Sequence, residues 1–452
     1  MSVLSLEPFS KLQSAIMATA PPSEESTIVD NKLFKAICLH QILNPTHGGN
    51  RYYRIAILAI LWMSIVVQIT QLVGLYYAVN DLQRFAFTTT VVSNSFLSLS
   101  KAYVLVTNVD RLRDGLEAAR YEFTSCGSRD QRTVRRARAA LSTIVRTFTV
   151  FSYVTCFFWI LNPLSAIGEF LPLTNADGTV SRYRVTIYNY WLPVSVTVYN
   201  TTTVWALTYA VEMIVCFFNV NTWLLFDSYV LTMCFTFKAH FCTLSASYAT
   251  IGHLDTFRSL TLHASSTYTG FLNWKKDDNF IKTGNNNTLN CYDELVNHLQ
   301  DNQRIIKKYD EFFEVIKPVI LFQMIGGSYT VITLTFLTSL TYLMGFSIIS
   351  IPVSKAFFGF LVLTIQLYLY CYVFNHIETE KSAVNFGLYS SNWTAMDLKF
   401  KKTLLLAMNM NSAHRRVMKV IPRSIINLEL FAKVMNMSYS IVSVLLNSRA
   451  GK

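Results

Sequence analysis

At 452 residues, the chain is 52% hydrophobic, 14% aromatic and only 15% charged, a balance too apolar for a soluble protein of this size and one that points to a polytopic membrane protein. The net charge of +12 does not mark a nucleic-acid binder, because the basic residues stand beside apolar runs long enough to span a bilayer. None of the eight cysteines is spaced as CxxC, and neither HExxH nor a phosphate-binding loop occurs, so an enzyme is excluded and no catalytic residue, metal or cofactor is expected.

Residues 1–50 form a polar N-terminal segment around Pro21-Pro22-Ser23-Glu24-Glu25-Ser26; it lacks an apolar core, so no cleavable signal peptide is expected. Seven stretches then satisfy the ~20 apolar residues that a spanning helix needs. They are Ile55–Val79, Phe85–Val106, Thr143–Gly168, Val194–Val230, Val319–Phe346, Ala356–Asn375 and Ser424–Leu446. The expected organisation follows: helices one to four over 51–230, a cytoplasmic helical connection over 231–318, helices five and six over 319–378, a second cytoplasmic helix over 379–423, and the last helix with a short outer tail over 424–452.

Orientation comes from the basic residues. The N-terminal segment and the second-to-third, fourth-to-fifth and sixth-to-seventh connections hold 31 of the 39 Lys and Arg; the opposite face holds 6. Without the long Leu231–Lys317 connection the bias is still 22 to 6. The N-terminus is therefore expected in the cytoplasm and the C-terminus outside. No cysteine falls in an outer loop under this topology, so no disulfide is expected there. Of the sequons at Asn200, Asn286, Asn392 and Asn436, only Asn200 would face outward, close to the fourth helix.

The one long outer connection, Glu169 to Pro193, carries Pro172, Asp177-Gly178 and Pro193 and reads as a loop with turns, either a lid over a cavity or a solvated segment. Tyr188, Tyr190 and Trp191 read as an interfacial aromatic belt. On the cytoplasmic side, Gly284-Asn285-Asn286-Asn287-Thr288 reads as a flexible break. After it, Leu295, Leu299, Asn302, Ile306, Tyr309, Phe313 and Ile316 form a helical stripe. Met396, Phe400, Leu404, Ala407 and Asn411 form a shorter one, and the two are expected to pack together.

Candidate ligand contacts follow aromatic density in the outer half of the bundle. The second helix offers Phe85, Thr88 and Val92; the third offers Ser152, Thr155, Phe158 and Trp159. The fourth offers Tyr199, Trp205, Tyr209 and Met213, and the sixth Phe360 and Thr364. An enclosed, mostly apolar and aromatic cavity is what a small molecule with few polar atoms requires. Intramembrane charges are expensive and default to pairs. Lys101 and Glu212 are expected to approach each other, and Glu429 and Lys433 to pair along the last helix. Tyr439, Val442 and Leu446 share one face of that helix, as a hydrophobic gate would, with Ser438 and Ser443 as polar wall. His240 and Cys242 alone do not make a metal site.

One stretch carries a resemblance. Tyr389 and Trp393, the basic segment Lys399-Phe400-Lys401-Lys402 and the ending Met437-Ser438-Tyr439-Ser440-Ile441-Val442 resemble the C-terminal signature of insect odorant receptors. The resemblance implies an all-α polytopic membrane protein with seven transmembrane helices, a cytoplasmic anchor domain and a last helix lining a shared pore. It implies a small volatile odorant in the outer pocket and a plasma-membrane site in the dendrite of an olfactory neuron. It also implies a heterotetramer with the odorant co-receptor, forming an odorant-gated non-selective cation channel. Leu445-Leu446 stands where gustatory members and the co-receptor keep a glutamine, which argues for a tuning subunit. A gustatory channel, a G-protein-coupled receptor and a secondary transporter remain as alternatives at this stage; the chain shows no internal repeat, and Asn162-Pro163 lies in the third span rather than the last.

Overall fold

The computed structural model describes residues 27–29, 34–35, 39, 43, 50–79, 81–165, 167–168, 170–174, 179–190, 192–253, 284–343, 351–413, 419–421 and 424–450. Seven long helices dominate: α1 (Asn50–Tyr77), α2 (Leu82–Thr107), α5 (Gln131–Ser165), α7 (Thr202–Thr250), α8 (Gly284–Leu343), α9 (Ile351–Ser390) and α11 (Leu428–Ala450). Short helices fill the connections: α3 (Val109–Gly115), α4 (Ser125–Arg129), α6 (Val196–Tyr199) and α10 (Leu398–Ala413). The protein is an all-α polytopic membrane protein.

Among the described residues, α1, α5, α7, α8 and α9 contain segments long and apolar enough to cross a membrane. The spans expected in α2 and α11 are more polar, and for α2 the reason is local. It buries Thr90, Ser95, Ser98 and Lys101 against the bundle instead of facing lipid. The hydroxyls of Thr89, Thr90 and Ser98 donate to carbonyls four residues back, so they need no outside acceptor.

Helix α7 is the axis. From Leu224 to Phe237 every residue is buried, and α9, α5, α2 and α8 all pack on it. A helix buried all round must be apolar all round, and this one has no polar face to turn outward. Gly252 ends it at φ +79°, the left-handed conformation that stops a helix cleanly. A Cβ there would run into Met396 and Asn392, and the Asn392 amide donates to Ile251 O at 3.0 Å. The segment from Tyr389 to Trp393 is thereby docked on the end of α7.

The bundle has two unlike ends. One carries an antiparallel hairpin, β1 (Phe170–Thr174) and β2 (Val180–Arg184), in the register Phe170↔Arg184 to Thr174↔Val180. The other is built from α3, α4, α10 and the continuing lengths of α7, α8 and α9. Here the expected stripes meet. Leu295, Asn302, Tyr309, Phe313 and Ile316 are buried, as are Phe400, Leu404 and Ala407. Asn302 Nδ2 donates to Asn411 Oδ1 at 2.8 Å, joining the two. The supposed break at 284–288 instead forms the first turns of α8; its side chains lie outside the described residues, as does the connection 254–283.

Candidate ligand cavity

The segment after β2 does not float over the bundle. It dips inward and is held by Glu212 of α7, which is fully buried. Glu212 Oε1 accepts from Thr186 Oγ1 at 2.9 Å and from the Tyr190 amide at 3.2 Å, while Oε2 accepts from the Tyr188 amide at 3.0 Å. The expected Lys101–Glu212 pair therefore does not form. Lys101 binds Asp227 instead, at 2.6 Å with both groups buried. Fifteen residues separate Glu212 from Asp227 along α7, roughly 22 Å of rise, and Lys101 lies at the level of Asp227. Glu212→Leu would leave three buried donors without an acceptor. About 2–4 kcal/mol of destabilisation is expected, read as a lowered thermal midpoint of the purified protein in detergent.

The returning segment turns two tyrosines inward. Tyr188 and Tyr190 stack with centroids 5.3 Å apart, and Tyr188 leans on Trp159 at 5.9 Å. These two residues are interior packing and not an interfacial belt, because the Glu212 bonds pull their backbone into the bundle; Trp191 lies outside the described residues. Lys355, at the start of α9, is also tucked in. Its Nζ donates to Ile187 O at 2.7 Å and stands 4.4 Å from the Trp159 ring centre.

Beneath this cover lies a cavity of about 120 Å³. It is of the size that holds one small molecule, since an apolar cavity of roughly 150 Å³ binds benzene. Thr90, Val91, Asn94, Ser95 and Ser98 of α2 form one wall, and Ser152, Thr155, Cys156 and Trp159 of α5 a second. Cys216, Asn219, Val220 and Trp223 of α7 form a third. Leu334 of α8, Gly359, Val362 and Leu363 of α9, and Tyr188 above complete the lining. The hydroxyls of Thr90, Ser98, Ser152 and Thr155 donate to their own helices, so they present only lone pairs to the cavity. The indole N–H groups of Trp159 and Trp223 are buried and have no protein partner. Cys156 Sγ and Cys216 Sγ approach to 3.6 Å as free thiols.

Of the candidate contacts, Ser152, Thr155 and Trp159 line this cavity, and the others lie elsewhere. Trp205 donates to Val185 O of the returning segment at 2.8 Å, Tyr209 donates to Ile160 O of α5 at 3.0 Å, and the two rings stack at 5.5 Å, so both polar tips are already engaged. Tyr199 packs edge-on against Tyr183 of β2. Phe158 stacks on Phe358 at 4.4 Å. Val92 O accepts from Gln68 of α1, and Phe85, Thr88 and Met213 are half-buried outside the cavity wall. Phe360 packs on the main core, and the Thr364 hydroxyl is buried without a partner. The residues not anticipated include Tyr188, Cys216, Asn219, Trp223 and Gly359. A signal existed for some: 216, 219, 220 and 223 follow helical spacing and mark one stripe of α7.

Directly below, Trp223 joins the cavity to a polar node. Lys101 Nζ sits 4.9 Å from the Trp223 ring centre. Asp227 accepts from Lys101, from Tyr370 Oη at 2.5 Å and from Gln366 Nε2. Gln323 Nε2 of α8 donates to Gln366 Oε1 at 3.1 Å. Four helices are thus tied together at one depth: α2, α7, α8 and α9. On α11, Tyr439 is 73% exposed and Val442 half-buried, while Ser438 is buried and donates to Val434 O. Glu429 and Lys433 pair at 2.7 Å, as expected. The side chains of Leu445 and Leu446 lie outside the described residues.

A multi-pass helical bundle with a small, mostly apolar cavity among its helices is an architecture suited to holding a small molecule within a membrane. Residues 81–439 match the family model described as 7tm Odorant receptor, and the chain belongs to that family. Its fold is similar to the insect olfactory receptor OR5 from Machilis hrabei, solved in complex with eugenol (TM-score 0.68, 12% identity) and without it (0.69, 11%). Each comparison covers 92% of this chain and 98% of the other. No curated protein matches the chain significantly. The family is one of odorant receptors.

Proposed function

We propose that this chain is the odorant-binding subunit of a heteromeric, odorant-gated, non-selective cation channel, working with the odorant co-receptor in the plasma membrane of olfactory dendrites. The ligand is a small volatile, held in the cavity between α2, α5, α7, α8 and α9. The mostly apolar cavity beneath the Glu212-bound segment carries this reading. The N-terminus is cytoplasmic and the hairpin end extracellular, in keeping with the basic-residue bias. A volatile shifts the channel toward its open state by binding that state more tightly. The gate is the face of α11 that carries the exposed Tyr439 and the half-buried Val442, with Leu446 sharing it by helical spacing. The odorant family match favours this reading over a gustatory one.

The test is whole-cell current from cells expressing the chain alone and with the co-receptor, under a panel of volatiles. Cation current only in the pair supports the proposal. Current from the chain alone would make it a self-sufficient channel. Within the pair, Tyr439→Ala is expected to raise ligand-independent current severalfold, because a shorter side chain widens a gate that closes by excluding water. Unchanged resting current would remove Tyr439 from the gate.

A further inference from the structure

The end opposite the hairpin holds a cluster that the odorant reading does not use. Cys126 of α4 and His298 and Asp301 of α8 are all buried, and their ligand-capable atoms lie within 4.8 Å of one another. We propose that these three residues form a zinc site that clamps the connection between α2 and α5 onto α8.

The donor set carries the assignment. A thiolate, an imidazole and a carboxylate together suit Zn²⁺, which accepts all three and is indifferent to their exact geometry. His298 and Asp301 are three apart on one helix and share a face, so α8 presents two ligands at no conformational cost. Cys126 Sγ stands 3.3 Å from His298 Nδ1. Around a tetrahedral zinc, with bonds of ~2.3 Å to sulfur and ~2.0 Å to nitrogen, two such atoms are roughly 3.5 Å apart. The sulfur–nitrogen pair already stands at that separation, and the Asp301 carboxylate, within 4.8 Å of both, closes the site by a small inward shift.

The surroundings add a second layer. The far nitrogen of His298 faces Glu294 Oε1 at 3.6 Å, one turn back on α8. That separation is beyond hydrogen-bond reach and the buried nitrogen has no hydrogen-bond partner among the described residues, so the carboxylate stands where a slight approach would make it the usual outer partner of a zinc-bound imidazole. Asp301 Oδ2 accepts from the Ser125 amide at 2.8 Å and from its hydroxyl, which orients the carboxylate beside Cys126. Tyr248 packs edge-on against the His298 ring at 5.6 Å, and its buried hydroxyl has no protein partner. That hydroxyl is available to a water completing the coordination sphere. His240, nearby, is not a ligand: its two nitrogens are engaged with Ala118 O at 2.7 Å and Thr124 Oγ1 at 3.2 Å. On binding, the Cys126 thiol loses its proton to solvent and the Zn–S bond takes its place.

The experiment is elemental analysis of the purified full-length receptor, prepared without chelator, beside Cys126→Ser and Asp301→Asn. About one zinc per chain is expected in the native protein, with loss in both variants. Cobalt exchanged into the native protein should show a thiolate-to-metal charge-transfer band that Cys126→Ser lacks. A zinc chelator should lower the thermal midpoint of the native protein and leave that of Cys126→Ser unmoved. Zinc at background level in the native protein overturns the proposal without recourse to any variant. Zinc that persists in Cys126→Ser, with no charge-transfer band in the native cobalt form, would place the metal elsewhere and equally overturn it.

Discussion

Asp227→Leu is expected to destabilise the protein by about 3–5 kcal/mol, the cost of leaving one partner of a buried ion pair uncompensated. Lys101 is fully buried, and among the described residues its one carboxylate within 4 Å is Asp227. Removing that carboxylate also strips an acceptor from Tyr370 and Gln366, so α9 loses its hold on the node along with α2. The double variant Asp227→Leu with Lys101→Met should recover most of the loss, because replacing both members by apolar groups removes the buried charge altogether. Thermal unfolding in detergent and the fraction reaching the cell surface are the measurements. A single variant as stable as the native protein would mean that the pair is incidental to the bundle.

Gly359→Leu is expected to abolish or sharply weaken the response to volatiles while sparing the fold. Gly359 forms part of the cavity wall, and a Cβ there would meet Leu334 and Trp159 at ordinary contact distances of 3.6 and 3.7 Å. The remaining atoms of a leucine must then extend into a cavity of only about 120 Å³. Losing about 2 kcal/mol of ligand contact corresponds to a roughly 30-fold rise in the concentration needed. Leucine is a better helix former than glycine, so α9 itself gains. Gly359→Ala should shift the response less. The dose–response curve of the co-expressed pair, normalised to surface protein, reads the effect. An unshifted curve for Gly359→Leu would place the ligand elsewhere.

Much of the fold was legible because bilayer thickness imposes length. Each expected span overlaps a long helix, though the fourth opens with the short α6 and α11 starts at Leu428, past the expected start at Ser424. Both amphipathic stripes are buried or half-buried where their periodicity put them. The cavity was harder to read. Aromatic density drew attention to Trp205 and Tyr209, yet their polar tips are spent on Val185 and Ile160 carbonyls. A sequence shows that an indole lies on a helix face but not which carbonyl an incoming loop will bring to it. The same limit misdirected Glu212. Its partners are two backbone amides and a threonine hydroxyl from a segment whose inward course no periodicity announces. Asp227 sat within the expected fourth span, and its depth relative to Lys101 depended on helix tilt, which packing sets.

Helix α7 has one further mechanical property. Its 49 residues contain neither glycine nor proline, so nothing in its sequence invites a kink, and at 1.5 Å per residue it is a rod of about 74 Å. One stretch of that rod forms a cavity wall at Cys216 to Trp223, and another is sheathed by α8 and α9 far below. Were the rod to tilt by ~5°, it would carry its far end through about 6 Å. Its neighbour α8 is continuous but carries one proline, Pro318, between the zone that holds Asn302 and the zone that holds Gln323. The pair is a stiff rod lying beside one with a proline at mid-length, so a tilt that moves the cavity wall moves the opposite end about two to three times as far.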